Sequence, residues 1–313
     1  MNPQISICIP AFKNKAFLER LLDSIKIQSY RHFEVIVTDD SPDDALRELC
    51  NSYTTYFELR YFKNQSNLNT PENWNEAVRQ AKYEWIKIVH DDDWFVNRSS
   101  LDSYARAVIQ NPDAHFFFSA YQNIYFDQQR TQKMRLSSFW KMSLKSNPEI
   151  LLSRNVIGPP SVTLYKKTNL SYDRTMKYVV DIDFYTRYLE NYTWSYIDEI
   201  LVNVGIHSSQ VTKYTFGVSD FHFNESIQML IKKHDGVFKN ILVYDGWWRL
   251  MRNFKVTSLE QWSQSGLSKS HSDTLSAMVQ IQKKVSTVFL QTGLISKTLM
   301  AFSYLKYRLG NNF

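Results

Sequence analysis

Cysteine is scarce in this chain, with only Cys8 and Cys50 among 313 residues. No CxxC occurs and neither cysteine stands at ligand-like spacing to a histidine. A disulfide framework is therefore not expected, and the usage fits a reducing compartment. Glycine and proline number eight each, too few for a low-complexity or disordered chain. Neither GxGxxG nor GxxxxGKS/T is present, which disfavours a dinucleotide dehydrogenase and a P-loop enzyme. No 18-residue uncharged apolar run occurs, so no membrane span is expected. The opening MNPQISICIPAFKNK also lacks the basic and apolar regions of a secretory leader.

What the chain does contain is apolar and aromatic. Hydrophobic residues make up 43% and aromatics 15%, enough to bury a substantial core in one large domain or in one domain with an appendage. The net charge of +6 is concentrated at one end. Residues 209–313 hold 13 Lys and Arg against six Asp and Glu, which leaves 24 against 25 in residues 1–208. Such an excess is ordinarily a solvated lysine face. It could also face an anionic membrane surface or a nucleic acid, although the reading reached below expects no nucleic-acid partner.

Apolar runs at Ile5 to Pro10, Phe33 to Thr38 and Trp85 to Val89 read as buried strands, with a shorter one at Leu59 to Phe62. Between them lie segments of helical spacing, such as Phe17, Leu18, Leu21, Leu22 and Ile25. Thr70 reads as an N-cap with Pro71 at the first helical position. Alternation of this kind predicts a parallel α/β sheet with helices on its faces, whose ligands bind beyond the carboxyl ends of the strands. Three chemically distinctive groups fall at those ends: the turn Pro10, Ala11, Phe12; the pair Asp39, Asp40; and the run Asp91, Asp92, Asp93. Three adjacent carboxylates at a strand end repel one another and resist desolvation unless a cation sits among them. Mg²⁺ or Mn²⁺ would meet that need, since such ions take oxygen ligands and share them with phosphates. Read without context, the triad is a solvated acidic turn that caps the next helix.

IPAFKN, VIVTDDSPD, the NWN at Asn73 to Asn75, and YEWIKIVHDDDW together resemble the nucleotide-binding half of family 2 glycosyltransferases, inverting enzymes with the GT-A fold. The resemblance covers roughly residues 4–208. It implies a GT-A domain over 1–208, a Rossmann-like, mostly parallel sheet flanked by helices, and a helical, basic region over 209–313. It further implies that Phe12, with Pro10 and Ala11, lies against the nucleobase, that Asp40 accepts from the base, and that Asp39 supports the turn. Asn75 joins the nucleotide-binding set. Asp91 would face the ribose or the metal, and Asp92 would be a metal ligand. These roles make chemical sense, because an imide N–H needs an acceptor, a base needs a flat face, and a diphosphate leaving group needs its charge neutralised. This chain departs from the family pattern at His90, where an acid is frequent, and at Lys13, where Asn is common.

VDIDFYTR, from Val180 to Arg187, resembles the family's E-D-x-D-L-x-x-R run with Val180 in place of Glu. The match makes Asp181 the catalytic base. As pure structure, Asp181 reads as a helix N-cap. Asp183 and Arg187, four apart, are expected to pair along the helix. Trp194 to His207 reads as strand, turn, strand, and His207 matches a histidine that GT-A enzymes often place near the metal. Residues 127–147 are polar and weakly periodic. From Ser219 the chain reads as helical, and Val288, Ile295, Leu299 and Phe302 recur at helical spacing among lysines.

The sequence thus points to an inverting, metal-dependent transferase. It would move a sugar from a UDP- or dTDP-linked donor onto a hydroxyl of a glycan or lipid-linked glycan, in the cytoplasm or peripherally at the inner face of the membrane. Two rivals stand beside it. A nucleotidylyltransferase needs a glycine-rich basic loop, and Ile5 to Lys15 has no glycine. A non-catalytic sugar-nucleotide or glycan-binding module would use Asp181 only as a cap.

Overall fold

The computed structural model describes residues 2–207, 219–262 and 264–310. Residues 1–138 and 156–213 form one compact unit; 139–155 and 214–313 form a second. The expected boundary at 208/209 lies outside the described residues.

The first unit carries a nine-stranded sheet in the order β3-β2-β1-β4-β8-β6-β9-β5, with β7 paired to β6. Its strands are β1 (Ile5–Ala11), β2 (Phe33–Asp39), β3 (Leu59–Lys63), β4 (Trp85–Ile88), β5 (Trp94–Phe95), β6 (Phe116–Tyr125), β7 (Arg130–Met134), β8 (Thr163–Lys166) and β9 (Trp194–Ile206). β1 pairs in parallel with β2 and β4, and β2 with β3. Helical crossovers α1 (Lys15–Lys26), α2 (Ala45–Tyr53) and α3 (Glu72–Gln80) join them, as parallel pairing requires. β1, β2 and β4 are buried along their whole length, which explains their unbroken apolar runs. α4 (Ser100–Gln110) leads to β6, and β8 runs antiparallel between β4 and β6. Sheet and crossovers give the expected GT-A-like α/β architecture.

Two local expectations are corrected, and one undetermined stretch is resolved. The helix after Thr70 starts one residue later, with Pro71 as its N-cap and its carbonyl accepting from Asn75. Residues 194–206 form one strand, not two. Across from β6 the register jumps from Ser119↔Ile197 to Ala120↔Ile200, so a bulge at Asp198-Glu199 stands where a turn between two strands was expected. The polar stretch 127–147 is ordered into β7 and α5 (Ser138–Ser146).

In the second unit, α7 (Ser219–Ile231), α8 (Ile241–Asn253), α9 (Lys269–Lys283), α10 (Thr287–Gln291) and α11 (Gly293–Arg308) follow α6 (Val180–Leu189) of the first unit in chain order. Phe223, Ile227, Leu230, Trp247, Trp248, Met251 and Met278 build its core. Gly246 of α8 lies so close to the Ser153 backbone that no side chain fits. No helix among the described residues is long and apolar enough to cross a membrane.

Candidate active site

The carboxyl ends of β1, β2 and β4 meet through backbone and carboxylate contacts. Asn14 caps α1 by accepting from Phe17 N, which fixes the turn after β1. Within that turn Phe12 N donates to Asp91 Oδ2 at 3.1 Å and Lys13 N donates to Ser41 Oγ at 2.6 Å. Asp40 N donates to Ala11 O at 3.1 Å. Pro10 and Ala11 are buried beneath this turn, whereas the Phe12 ring is 44% exposed, with Lys13 Nζ 4.6 Å from its centroid.

The two acids after β2 differ in role. Asp39 is buried and accepts from Ser41 N, Tyr61 Oη and Lys63 Nζ at 2.7, 2.6 and 3.1 Å. Burial alone would raise its pKa, but these bonds outweigh burial and hold it below the usual carboxylate range. Asp40 accepts from Asn64 Nδ2 and Leu68 N on one oxygen and Asn69 N on the other. Asn75 does not present its amide to this rim: Oδ1 accepts from Tyr172 N, and Nδ2 donates to Tyr172 O and Glu72 Oε2.

Beyond β4 the acidic run turns sharply, with Asp93 N donating to His90 O. β5 then pairs antiparallel with β9, Trp94 opposite Asn203, which brings the end of β9 alongside the acids. Gly205 N donates to Asp93 Oδ1 at 3.0 Å, and His207 Nε2 lies 3.0 Å from Asp92 Oδ2. Burial, then the charge of Asp92, raises the Asp91 pKa to about 7 and pushes Asp93 well above the ordinary value. The ligand atoms of His90, Asp92 and Asp93 lie within 4.8 Å of one another. Burial keeps His90 neutral by lowering its pKa, and its Nε2 is buried with no hydrogen-bond partner. Three carboxylates crowded at one strand end with the His90 imidazole beside them fit a divalent cation, which takes such oxygen and nitrogen donors.

Asp181 is not the N-cap of its helix. Val179 is the N-cap and Asp181 lies in the first turn of α6, with Oδ1 accepting from Ile182 N at 2.8 Å. Asp183 and Arg187 form the expected pair at 2.6 Å. Tyr121 of β6 relates the two acidic regions. Burial, followed by the charges of Asp181 and Asp93, raises its pKa to about 12.

Several residues at the site carry no sequence signal of their own. Lys87, in the middle of β4, is fully buried and donates to Ser161 O and, at 3.0 Å, to Thr163 O. Its ammonium lies 4.6 Å from the Tyr104 ring centroid, and burial lowers its pKa against the pull of Asp93. Arg20 of α1 sits 3.9 Å from the Trp94 ring centroid and donates to Asp92 O. A lysine within an apolar strand, at WIKIV, is the one hint the sequence offers.

Gly205 is tied to this geometry, because a Cβ there would stand 2.5 Å from Asp92 O. Gly205→Ala is expected to lower stability by about 1–3 kcal/mol through overpacking and to weaken divalent-cation binding. Denaturant melts and Mn²⁺ titration check both effects, and wild-type values in both would show that the acidic turn tolerates the shift.

The fold is that of the GT-A class of glycosyltransferases. Residues 6–170 match the model described as glycosyl transferase family 2, over half of the chain, and the chain belongs to that family. It is therefore a transferase of sugars. Over 211 residues it is 24% identical to an uncharacterized glycosyltransferase of Haemophilus influenzae, 66% of this chain and 69% of that one. Over 93 residues it is 33% identical to the GalNAc(5)-diNAcBac-PP-undecaprenol β-1,3-glucosyltransferase of Campylobacter jejuni, 29% of this chain and 30% of that one. A Rickettsia typhi glycosyltransferase is matched over 66% of its own length, so the chain spans about two thirds or less of these relatives. In fold it is similar to S. aureus TarS 1-349 in complex with UDP-GlcNAc, with TM-score 0.61, 14% identity, and 98% of this chain and 92% of that one covered. It is also similar to the mannosyltransferase PcManGT of Pyrobaculum calidifontis in complex with GDP-Man and Mn²⁺, with TM-score 0.58, 16% identity, and 99% and 87% covered.

Proposed function

We propose that the chain is an inverting, cation-dependent glycosyltransferase of the cytoplasm. It would move a sugar from a UDP- or dTDP-linked donor to a hydroxyl of a glycan or lipid-linked glycan. The observation that carries this reading is the meeting of Asp91, Asp92, Asp93 and His207 at the end of β4, next to the exposed ring of Phe12 and the acids after β2. TarS with UDP-GlcNAc and PcManGT with GDP-Man and Mn²⁺ support the donor class by likeness of fold. The undecaprenol-linked substrate named for the Campylobacter relative supports the acceptor class. The catalytic reading assigns its acids and cation to residues 1–208 and leaves 209–313 as a basic appendage.

Phe12 offers a face on which a pyrimidine can stack. Asp40 already holds three N–H donors, which leaves about one of a carboxylate's four acceptor positions for a base imide. Asp39 keeps the turn in place, and Asn75 acts at one remove through Tyr172. Asp92, Asp91 and His207 would hold Mn²⁺ or Mg²⁺, with His90 and Asp93 within reach; when bound, the ion neutralises the charge that gathers on the leaving diphosphate. Asp181 accepts the acceptor hydroxyl's proton as that oxygen bonds to the anomeric carbon. The bond from that carbon to the diphosphate oxygen breaks on the opposite face, and the nucleoside diphosphate departs with the electron pair. Configuration at the carbon inverts.

A panel of UDP-, dTDP- and GDP-sugars, tested with Mn²⁺ for thermal stabilisation and slow donor hydrolysis, checks the donor assignment. A UDP- or dTDP-sugar is expected to give the largest shift. If no nucleotide sugar binds, the reading fails.

A further inference from the structure

Helix α11 has an apolar stripe on each side. Its inward side joins the core through Met300, with Leu299, Tyr304 and Tyr307 packed beside it, and carries two buried serines: Ser303 Oγ lies 2.7 Å from Tyr244 Oη, and Ser296 Oγ accepts from Trp248 Nε1 and Arg252, each at 3.1 Å. Its outward side is apolar, with Leu294 79%, Phe302 52% and Leu305 59% exposed, continued just past the helix by Leu309 at 72%. At 3.6 residues per turn these four lie within an arc of about 80°. Lys297 and Arg308 border one edge of that arc and Lys306 the other, its Nζ 4.9 Å from the Phe302 ring centroid. The short α10 adds Val288 and Phe289, 72% and 57% exposed.

Charge says what could cover this face. From residue 274 to 313 the sequence has no Asp or Glu, while Lys283, Lys284, Lys297, Lys306 and Arg308 all fall there. A second copy docked face to face would bring two such rows of cations together with no carboxylate in either segment to offset them. A surface with an apolar interior and anionic head groups matches both features, since the leucines and phenylalanines leave water while the lysines stay at head-group level.

We propose that α10 and α11 form a docking face for an anionic lipid bilayer, with α11 lying in the plane of the interface. This docking needs neither donor nor cation, so it stands or falls apart from the transfer reaction.

The test is co-sedimentation of the full chain with vesicles of phosphatidylcholine alone or of an equimolar mixture of phosphatidylcholine and phosphatidylglycerol. The wild type should pellet with the mixed vesicles, far less with phosphatidylcholine alone, and less again as salt rises. Leu294→Glu with Leu305→Glu should reduce pelleting at least tenfold while the melting temperature stays unchanged, because both side chains are exposed in the folded protein. Lys297→Gln with Lys306→Gln should reduce binding to the mixed vesicles by about tenfold or more. Failure of the wild type to pellet with mixed vesicles overturns the proposal, as does undiminished pelleting of the double leucine variant. A dimer that does not bind vesicles, and that the leucine substitutions break, would assign the face to a second copy.

Discussion

Replacing Asp181 by asparagine is expected to lower turnover by about 10²–10⁴-fold, the usual contribution of a positioned general base. Nucleotide and Mn²⁺ binding should persist. Asparagine keeps the Oδ1 that accepts from Ile182 N, so the start of α6 is preserved and only the capacity to take a proton is lost. Asp183→Asn is the matched control. Asp183 is buried and paired to Arg187, so its loss should appear first as a lower melting temperature. Steady-state turnover beside donor-binding isotherms distinguishes the two. Unchanged turnover in Asp181→Asn removes that residue from the chemistry.

The second large effect concerns the acids at the end of β4. Asp91 has its pKa raised to about 7 by burial and by Asp92. A carboxyl shifted upward binds its proton more tightly in the folded state, so its contribution to stability is present at low pH. That contribution is lost as pH climbs from the unfolded value near 4 toward about 7. The cation-free protein should therefore melt lower at pH 7 than at pH 5, and Mn²⁺ should reverse the loss. At a hundred times its dissociation constant an ion stabilises by about 2.7 kcal/mol, and the shift should shrink at pH 5, where protons compete at Asp91 and Asp93. Asp92→Asn should move two measurements in opposite directions. It should abolish the Mn²⁺ shift, while the cation-free variant melts no lower than the wild type at pH 7, because burial still raises Asp91 and Asp93 but the added repulsion from Asp92 is gone. Melting curves at both pH values, with and without Mn²⁺, read the result. A full Mn²⁺ shift in the variant would take Asp92 out of the ligand set.

The sheet was legible because β1, β2 and β4 are buried on both faces, so apolar runs mark their length and the first polar residues mark their ends. Those ends are also where a parallel sheet binds ligands, which is why Phe12, Asp39, Asp40 and the aspartate run could be placed on one rim. The role of Lys87 was not legible. Its place inside the apolar WIKIV run hints at burial, but its acceptors, Ser161 O and Thr163 O, come from a distant segment that nothing local identifies. Periodicity failed differently at α11. It identifies residues that share a face without saying which face turns inward, and here Met300 and Leu299 go in together with Ser296 and Ser303, which meet Trp248, Arg252 and Tyr244, while Leu294 and Leu305 stay outside. The capping role expected of Asp181 misplaced the start of α6 by two residues, since Val179 occupies that position.

The bulge in β9 sets a length further along the chain. Between Ser119 and Tyr121 strand β6 advances two residues while β9 advances from Ile197 to Val202. This odd surplus decides which side chains the last stretch of β9 turns to each face of the sheet, because successive residues alternate. Gly205 meets Asp93, and His207 meets Asp92, only in that phase. A spacer several residues upstream, with no part in chemistry, thus acts as the gauge that sets where the imidazole arrives.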